Sequence, residues 1–230
     1  WIDHKMKDLL HLVSSYLKNS SCLIQELKHL HIPEGAKIFT ADAKSMYTNI
    51  DTDTGIAAIQ DFLEMNNERL PLNFPKKLFL QILEVIMKNN IFSFADSYWL
   101  QTSGTAMGTP AACTYATVTY GQFENTVILP NFQTNLLYYR RYIDDVFGIW
   151  LPPTENQLST WSDFKTTMNS WGNLQWDIEV PSRHTHFLDL NITIQDSKLE
   201  FSKFQKPLNL YLYLPPLSAH PHCCLKDLIK

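Results

Sequence analysis

Tyr142-Ile143-Asp144-Asp145 lies between two apolar, strand-like runs, Leu136-Leu137-Tyr138-Tyr139 before it and Val146-Phe147-Gly148-Ile149-Trp150 after it. The pattern predicts a hairpin that wants burial yet carries two adjacent carboxylates at its tip. Those carboxylates repel each other, and a divalent cation is the usual means of neutralising such a pair. A third carboxylate has a clear candidate. Lys37-Ile38-Phe39-Thr40-Ala41-Asp42 reads as a short strand ending in an acid, and Tyr47 follows five positions after that acid. The three acids together make a candidate two-metal site.

Four blocks in order carry a resemblance. They are Asp42-Ala43-Lys44-Ser45-Met46-Tyr47-Thr48-Asn49-Ile50, Gln101-Thr102-Ser103-Gly104-Thr105-Ala106-Met107-Gly108-Thr109, Arg141-Tyr142-Ile143-Asp144-Asp145, and Phe187-Leu188-Asp189-Leu190-Asn191-Ile192. A fifth runs through Lys206-Pro207, Tyr213-Leu214 and Ser218-Ala219-His220-Pro221. The chain resembles a reverse transcriptase, most closely those of Penelope-like retroelements. The resemblance implies an α+β polymerase palm of split β-α-β-β-α-β type, with a partial thumb and with fingers largely absent. It implies an RNA-directed DNA polymerase, a nucleotidyltransferase that extends a DNA primer on an RNA template with deoxynucleoside triphosphates. Two Mg²⁺ ions, or Mn²⁺ as a substitute, are held by Asp42, Asp144 and Asp145, with Asp145 in support. An intracellular and nuclear setting is implied too. Ala43-Lys44, Cys113 and Leu208 depart from the group's pattern, where an apolar residue, a Pro and a Thr are usual. A non-catalytic nucleic-acid-binding remnant of the same fold is therefore an alternative reading, and a scaffold with incidental acids is a third.

Composition is compatible with this and does not argue for it. The chain has 230 residues, enough for a sizeable core, and a net charge of −4 that does not advertise nucleic-acid binding. Cys22, Cys113, Cys223 and Cys224 form no disulfide framework, and no run approaches a membrane span. The chain opens on Trp1, and we read it as an excerpt of a longer polypeptide with little activity by itself. Residues 1–36 read as a helical lead-in, 37–194 as the palm, and 195–230 as a primer-grip hairpin and the start of a thumb.

Apolar spacing predicts two helices before residue 30, through Leu9, Leu12, Val13 and Leu17 and then through Leu23, Ile24, Leu27 and Leu30. Asp53 or Thr54 is expected to cap the next helix, which buries Ile56, Ile59, Phe62 and Leu63. Beyond the breaks at Pro71 and Pro75, Leu78-Phe79, Ile82-Leu83 and Ile86 predict another helix. Residues 91–101 read as a hairpin. Thr109 and Pro110 are expected to open a helix running to about Val127. Thr154-Glu155-Asn156-Gln157 has the form of a capping box. Leu174–Val180 alternates as a strand, and residues 187–194 and 199–205 read as a last hairpin.

The resemblance also assigns secondary roles. Tyr47 stacks under the incoming sugar and leaves no room for a 2′-hydroxyl. Gln101, Met107 and Gly108 belong to the nucleotide-binding loop, where Met107 stands in place of the Gln of many reverse transcriptases, as in the Penelope-like group, and offers only apolar packing. Phe187 and Leu188 sit in the primer grip, and Lys203 and Lys206 reach primer or template backbone beside Tyr211 and Tyr213. One of Arg140 and Arg141 is expected to neutralise the acids. Arg183 and His184 are candidates for protonating pyrophosphate. His220-Pro221-His222-Cys223-Cys224 matches no usual zinc-ligand spacing.

Overall fold

A computed structural model describes residues 1–152 and 160–205. In chain order the elements are α1 (Ile2–Lys7), α2 (Ser20–Leu27), β1 (Lys37–Lys44), α3 (Met46–Asn49), α4 (Thr52–Met65), α5 (Lys76–Lys88), β2 (Ile91–Phe94), β3 (Ser97–Leu100) and α6 (Ala112–Phe123). A π turn, Glu124–Ile128, leads into α7 (Leu129–Asn131), followed by β4 (Leu136–Tyr142), β5 (Asp145–Trp150), α8 (Trp161–Met168), β6 (Gln175–Ile178), β7 (His184–Phe187), β8 (Leu190–Gln195) and β9 (Lys198–Lys203).

β1, β4, β5 and β6 form one antiparallel sheet in the order β4-β5-β1-β6. With α6 between β1 and the β4–β5 hairpin, and α8 between that hairpin and β6, this is the expected split β-α-β-β-α-β arrangement. Alternation along β1 and β5 divides the core in two. Phe39, Ala41, Ala43 and Val146 face α4, α5, α6 and α8. Ile38, Phe147 and Ile149 face the other way, onto Phe187, Leu190, Ile192 and Ile194. Those residues belong to a separate three-stranded sheet, β7-β8-β9. The lead-in is shared: Ile2 to Val13 join the helical side, and Leu17 to Ala36 join the other.

Several sequence expectations shift. Leu9, Leu12 and Val13 are buried as expected, but beyond Lys7 the chain leaves the helix for a 3₁₀ turn and an extended stretch. The cause is the open edge of β4. The Arg141 N–H donates to Ser15 C=O at 2.6 Å and the Leu17 N–H donates to Arg141 C=O at 2.9 Å, so this stretch covers that edge. The cap of α4 is Asp51, not Asp53 or Thr54. Its carboxylate accepts the Thr54 N–H at 2.9 Å and the Thr54 hydroxyl at 2.7 Å. Ile50 is fully buried just before it, and this sets where the helix begins. α6 starts at Ala112, after a turn at Thr109-Pro110, and loosens into the π turn ahead of Pro130, which lacks an N–H and crowds the preceding turn.

The last expected hairpin is present as β8 and β9, and a second hairpin precedes it. Leu188 adopts a left-handed backbone, φ 53°, which breaks the run at Leu188-Asp189 and pairs β7 with β8. β8 and β9 then pair around Asp196 and Ser197, so position 195 falls inside one continuous antiparallel pair. α8 carries its capping box at Thr160 and Asp163, while Thr154–Gln157 lies outside the described residues.

At Gly148 the backbone of β5 crosses the Phe39 ring, and any Cβ there would overlap ring carbons. Phe39 cannot swing away, because Trp161 and Phe164 hold it edge-on at 5.0 and 5.3 Å. Gly148→Ala is therefore expected to destabilise the fold by about 1–3 kcal/mol, the usual penalty of overpacking. Urea denaturation of the two proteins, read at the midpoint with an unchanged slope, checks this.

Candidate active site

Strand register decides which side chains meet. Asp42 lies directly opposite Asp145 on β5 and opposite Asp177 on β6, and Tyr142 on β4 lies opposite Asp145. Residues opposite one another in an antiparallel sheet share a face, so Tyr142, Asp145, Asp42 and Asp177 form one row across four strands. Like charges in such a row repel. Asp42 feels this: partial desolvation, then the charges of Asp144 and Asp177, raise its pKa above the ordinary carboxylate value. Asp177 is partly offset by Lys44, whose ammonium lies 3.6 Å away at the surface.

Asp144 occupies the turn between β4 and β5. Its neighbour Ile143 has a left-handed backbone, φ 54°, which is unfavourable for a β-branched residue by roughly 1–2 kcal/mol. Two hydrogen bonds hold this turn. The Ala43 N–H donates to Asp144 C=O at 2.9 Å, tying the turn to the end of β1. Arg141 Nη1 donates to Ile143 C=O at 2.7 Å from beneath.

Arg141 is fully buried. Its Nε and Nη2 donate to the two oxygens of Glu124 at 2.8 and 2.7 Å, and Nη2 also donates to Thr117 C=O at 2.9 Å. Glu124, fully buried as well, accepts further hydrogen bonds from the Tyr139 hydroxyl at 2.9 Å and from Ser15. The expected neutralisation of the acids by an arginine does not occur. Arg141 is spent on Glu124, and Arg140 points to the opposite face, where Nε donates to Glu26 at 2.9 Å.

A cleft of about 370 Å³ opens beside the acids. Asp42, Asp145 and Asp177 line one side, and His186, Phe187 and Leu188 of the second sheet line the other. Glu179 closes an end, accepting hydrogen bonds from Thr40 at 2.6 Å and Thr185 at 3.0 Å. Among the described residues no three His, Cys, Asp or Glu side chains converge as a ready-made ion cage. The donor set still fits Mg²⁺, which takes one or two carboxylates and fills its shell with water and phosphate oxygens.

No protein-family model and no curated protein matches the chain. Solved structures do. The telomerase of Candida albicans in complex with the TWJ fragment of telomeric RNA aligns with a TM-score of 0.62, at 12% identity over 87% of this chain and 37% of its own. Apo telomerase from Candida tropicalis, truncated from its C-terminal domain, gives 0.60 at 11% identity over 88% and 44%. The BmCPV RNA-dependent RNA polymerase at elongation state gives 0.59 at 12% identity over 82% and 18%. The chain has a reverse-transcriptase-like polymerase fold. It spans less than half the length of the telomerase chains it matches.

Within this palm the remaining residues separate into near and far. Tyr47 is close enough to Asp144 for that charge, after desolvation and the Cys113 thiol, to help raise its hydroxyl pKa far above the ordinary value. The 103–108 loop docks on it: the Thr105 N–H donates to Tyr47 C=O at 2.6 Å. Gly104, at φ 80°, rests on Thr48, where a Cβ would come within 2.8 Å of the Thr48 Cα. Met107 and Gly108 lie further along that loop, Met107 75% exposed. Gln101 is elsewhere, lining a second cavity with Asp51, Asp53 and Lys88. Lys203 is exposed at the end of β9, outside the cleft, and Lys206 lies outside the described residues. Arg183 donates to Ile194 C=O at 3.0 Å and His184 shares a hydrogen bond with Thr193 at 2.9 Å, and neither lines the cleft. His186, two positions on, does line the cleft, stacked at 4.2 Å on Phe204.

The sequence reading missed Asp177, Glu179 and His186. Alternation placed Asp177 and Glu179 on one strand face, but only the register against β1 brings that face to Asp42.

A raised carboxylate pKa means that folding favours protonated Asp42. The stability this provides is complete below the ordinary value of 3.8 and is lost as pH rises through the folded value. Without divalent cations, Asp42→Asn is therefore expected to raise the melting temperature modestly at pH 7, with no gain near pH 3. Calorimetric melts across that range test it, and a lower melting temperature at pH 7 would contradict the repulsive row.

Removing one partner of the buried ion pair is expected to be far more damaging. Glu124→Gln leaves the Arg141 charge uncompensated and should cost about 3–5 kcal/mol. Denaturant unfolding measures that loss.

Proposed function

We propose that this chain is the palm of an RNA-directed DNA polymerase, a reverse transcriptase resembling those of Penelope-like elements. The observation that carries the reading is Asp145 facing Asp42 across β5 and β1, with Asp144 on the strained turn beside them and Tyr47 within reach of its charge. The likeness to telomerase and to an RNA-dependent RNA polymerase supports the fold on which it rests.

Each residue has a task in this reading. Asp42 and Asp144, supported by Asp145, hold the divalent cations, Mg²⁺ or Mn²⁺ in its place. When bound, these ions activate the primer 3′-hydroxyl and stabilise the charge developing on the triphosphate. Asp42 approaches from a central strand and Asp144 from a turn fixed by Arg141, so neither has to search for its position. Tyr47 offers a neutral ring to the sugar, since its hydroxyl stays protonated at any physiological pH. Phe187 and Leu188 give the opposite wall of the cleft an apolar surface for the primer end. RNA template, DNA primer and deoxynucleoside triphosphates are the partners.

Asp144→Asn is nearly isosteric and removes one charge from the cation site. It should lower primer extension by the full-length protein by roughly a thousandfold or more, the equivalent of several kcal/mol of transition-state stabilisation. Extension at the native rate would remove the acids from the mechanism. Mg²⁺-dependent binding of primer–template by a native protein that never extends it would favour the non-catalytic remnant instead.

Tyr47→Ala should raise ribonucleotide incorporation relative to deoxynucleotide incorporation, because the ring that blocks the 2′-hydroxyl is gone. Competition assays with paired nucleotides read that ratio directly.

A further inference from the structure

We propose that Cys113 is a positioning residue for Tyr47, and that this thiol sets how sharply the site distinguishes deoxyribose from ribose. The inference rests on the reading of Tyr47 as the sugar-discriminating ring.

The backbone of Tyr47 is fixed from several directions. Ser45, left-handed at φ 49°, opens the single-turn helix α3, and its carbonyl accepts the Thr48 and Asn49 N–H groups at 3.0 and 3.1 Å. The Asn49 amide donates to Lys44 C=O at 2.8 Å. The Thr105 N–H secures the Tyr47 carbonyl from the facing loop. The side chain has less support. Tyr47 is only half-buried, packed on one side against the helical core. Its hydroxyl has one hydrogen-bond partner among the described residues, the Cys113 Sγ at 3.1 Å.

Cys113 stands in the first turn of α6, shortly after the loop that docks on Tyr47, and is itself exposed. Loop, helix start and thiol therefore close around one ring. A ring that must exclude a single hydroxyl gains selectivity only if it cannot tilt, because a small displacement restores the missing space. A thiol–hydroxyl hydrogen bond is weak, yet here it is the contact that fixes the free end of the ring.

The test has two arms, both in the full-length protein with every other cysteine, Cys22, Cys223 and Cys224 among them, replaced by Ser. In the first, the reaction rate of Cys113 with an aromatic disulfide reagent is measured with and without Tyr47→Phe. Loss of the hydroxyl should speed the reaction, and an unchanged rate would overturn the contact. In the second, the ratio of ribonucleotide to deoxynucleotide incorporation is compared for native Cys113, Cys113→Ala and Cys113→Ser. Ala should raise the ratio roughly two- to tenfold, the range that one hydrogen bond of modest net strength supports. Ser, which keeps a partner for the hydroxyl, should stay near the native ratio, whereas a purely structural role would leave all three alike. Equal ratios would overturn the positioning role. A native protein that transfers no nucleotide would instead overturn the parent reading, and the thiol arm would still decide the contact.

Discussion

The buried pair of Arg141 and Glu124 is the constraint on which the aspartate turn depends. Taking both charges out of water is costly, and an apolar pair of equal volume often serves stability as well or better. Stability alone does not explain its presence. An apolar side chain at 141 could not donate to the Ile143 carbonyl, and Ile143 holds a backbone conformation that its β-branch disfavours. The guanidinium offers several donors in a rigid fork. Two nitrogens spend themselves on Glu124, and the third reaches the turn. Ser15, Thr117 and Tyr139 complete the network, so the N-terminal segment, α6 and β4 all converge beneath Asp144. The turn is thus held by the core rather than by the surface loop it superficially is.

This also explains why Glu124 sits in a π turn. A regular helix through residue 127 is compatible with the apolar spacing and is what the residue order predicts. Pro130 denies the helix a backbone donor, and the looser turn brings the Glu124 carboxylate into the core. Nothing in residue order marks Glu124 as buried. Charged residues are rarely so, and its partner lies seventeen positions away on a strand.

The parts of the fold that were legible are those governed by local pattern. β1, the β4–β5 hairpin and the helices α4 and α5 follow from apolar periodicity, and the sheet order follows from the resemblance. The parts that were not legible depend on what a segment meets. Leu9, Leu12, Val13 and Leu17 have helical spacing and are buried, but past a 3₁₀ turn an uncovered strand edge draws the chain out of the helix. Leu188 sits within an apolar alternation and still turns the chain, because β7 and β8 pair with each other. The site divides the same way. The chemistry of Asp42, Asp144 and Tyr47 is marked by motif and spacing. Asp177, Glu179 and His186 enter through strand register and sheet packing, which are long-range facts.

The row of acids shows what such register implies. Three carboxylates abreast on adjacent strands, with a fourth at the turn, bring like charges together, and Asp42 carries the cost. Lys44 partly relieves the outer member, Asp177, while Asp42 still feels the charges of its neighbours. Neutralising the row locally with the nearby arginines was structurally available, since β4 carries two of them. Instead both are engaged by glutamates, one in the core and one at the surface. Neither arginine is spent on the cleft, and the scaffold beneath it is held by a buried ion pair. A site arranged in that way is suited to receive cations together with the ligand that brings them, and it keeps Asp42 and Asp144 in place for that event.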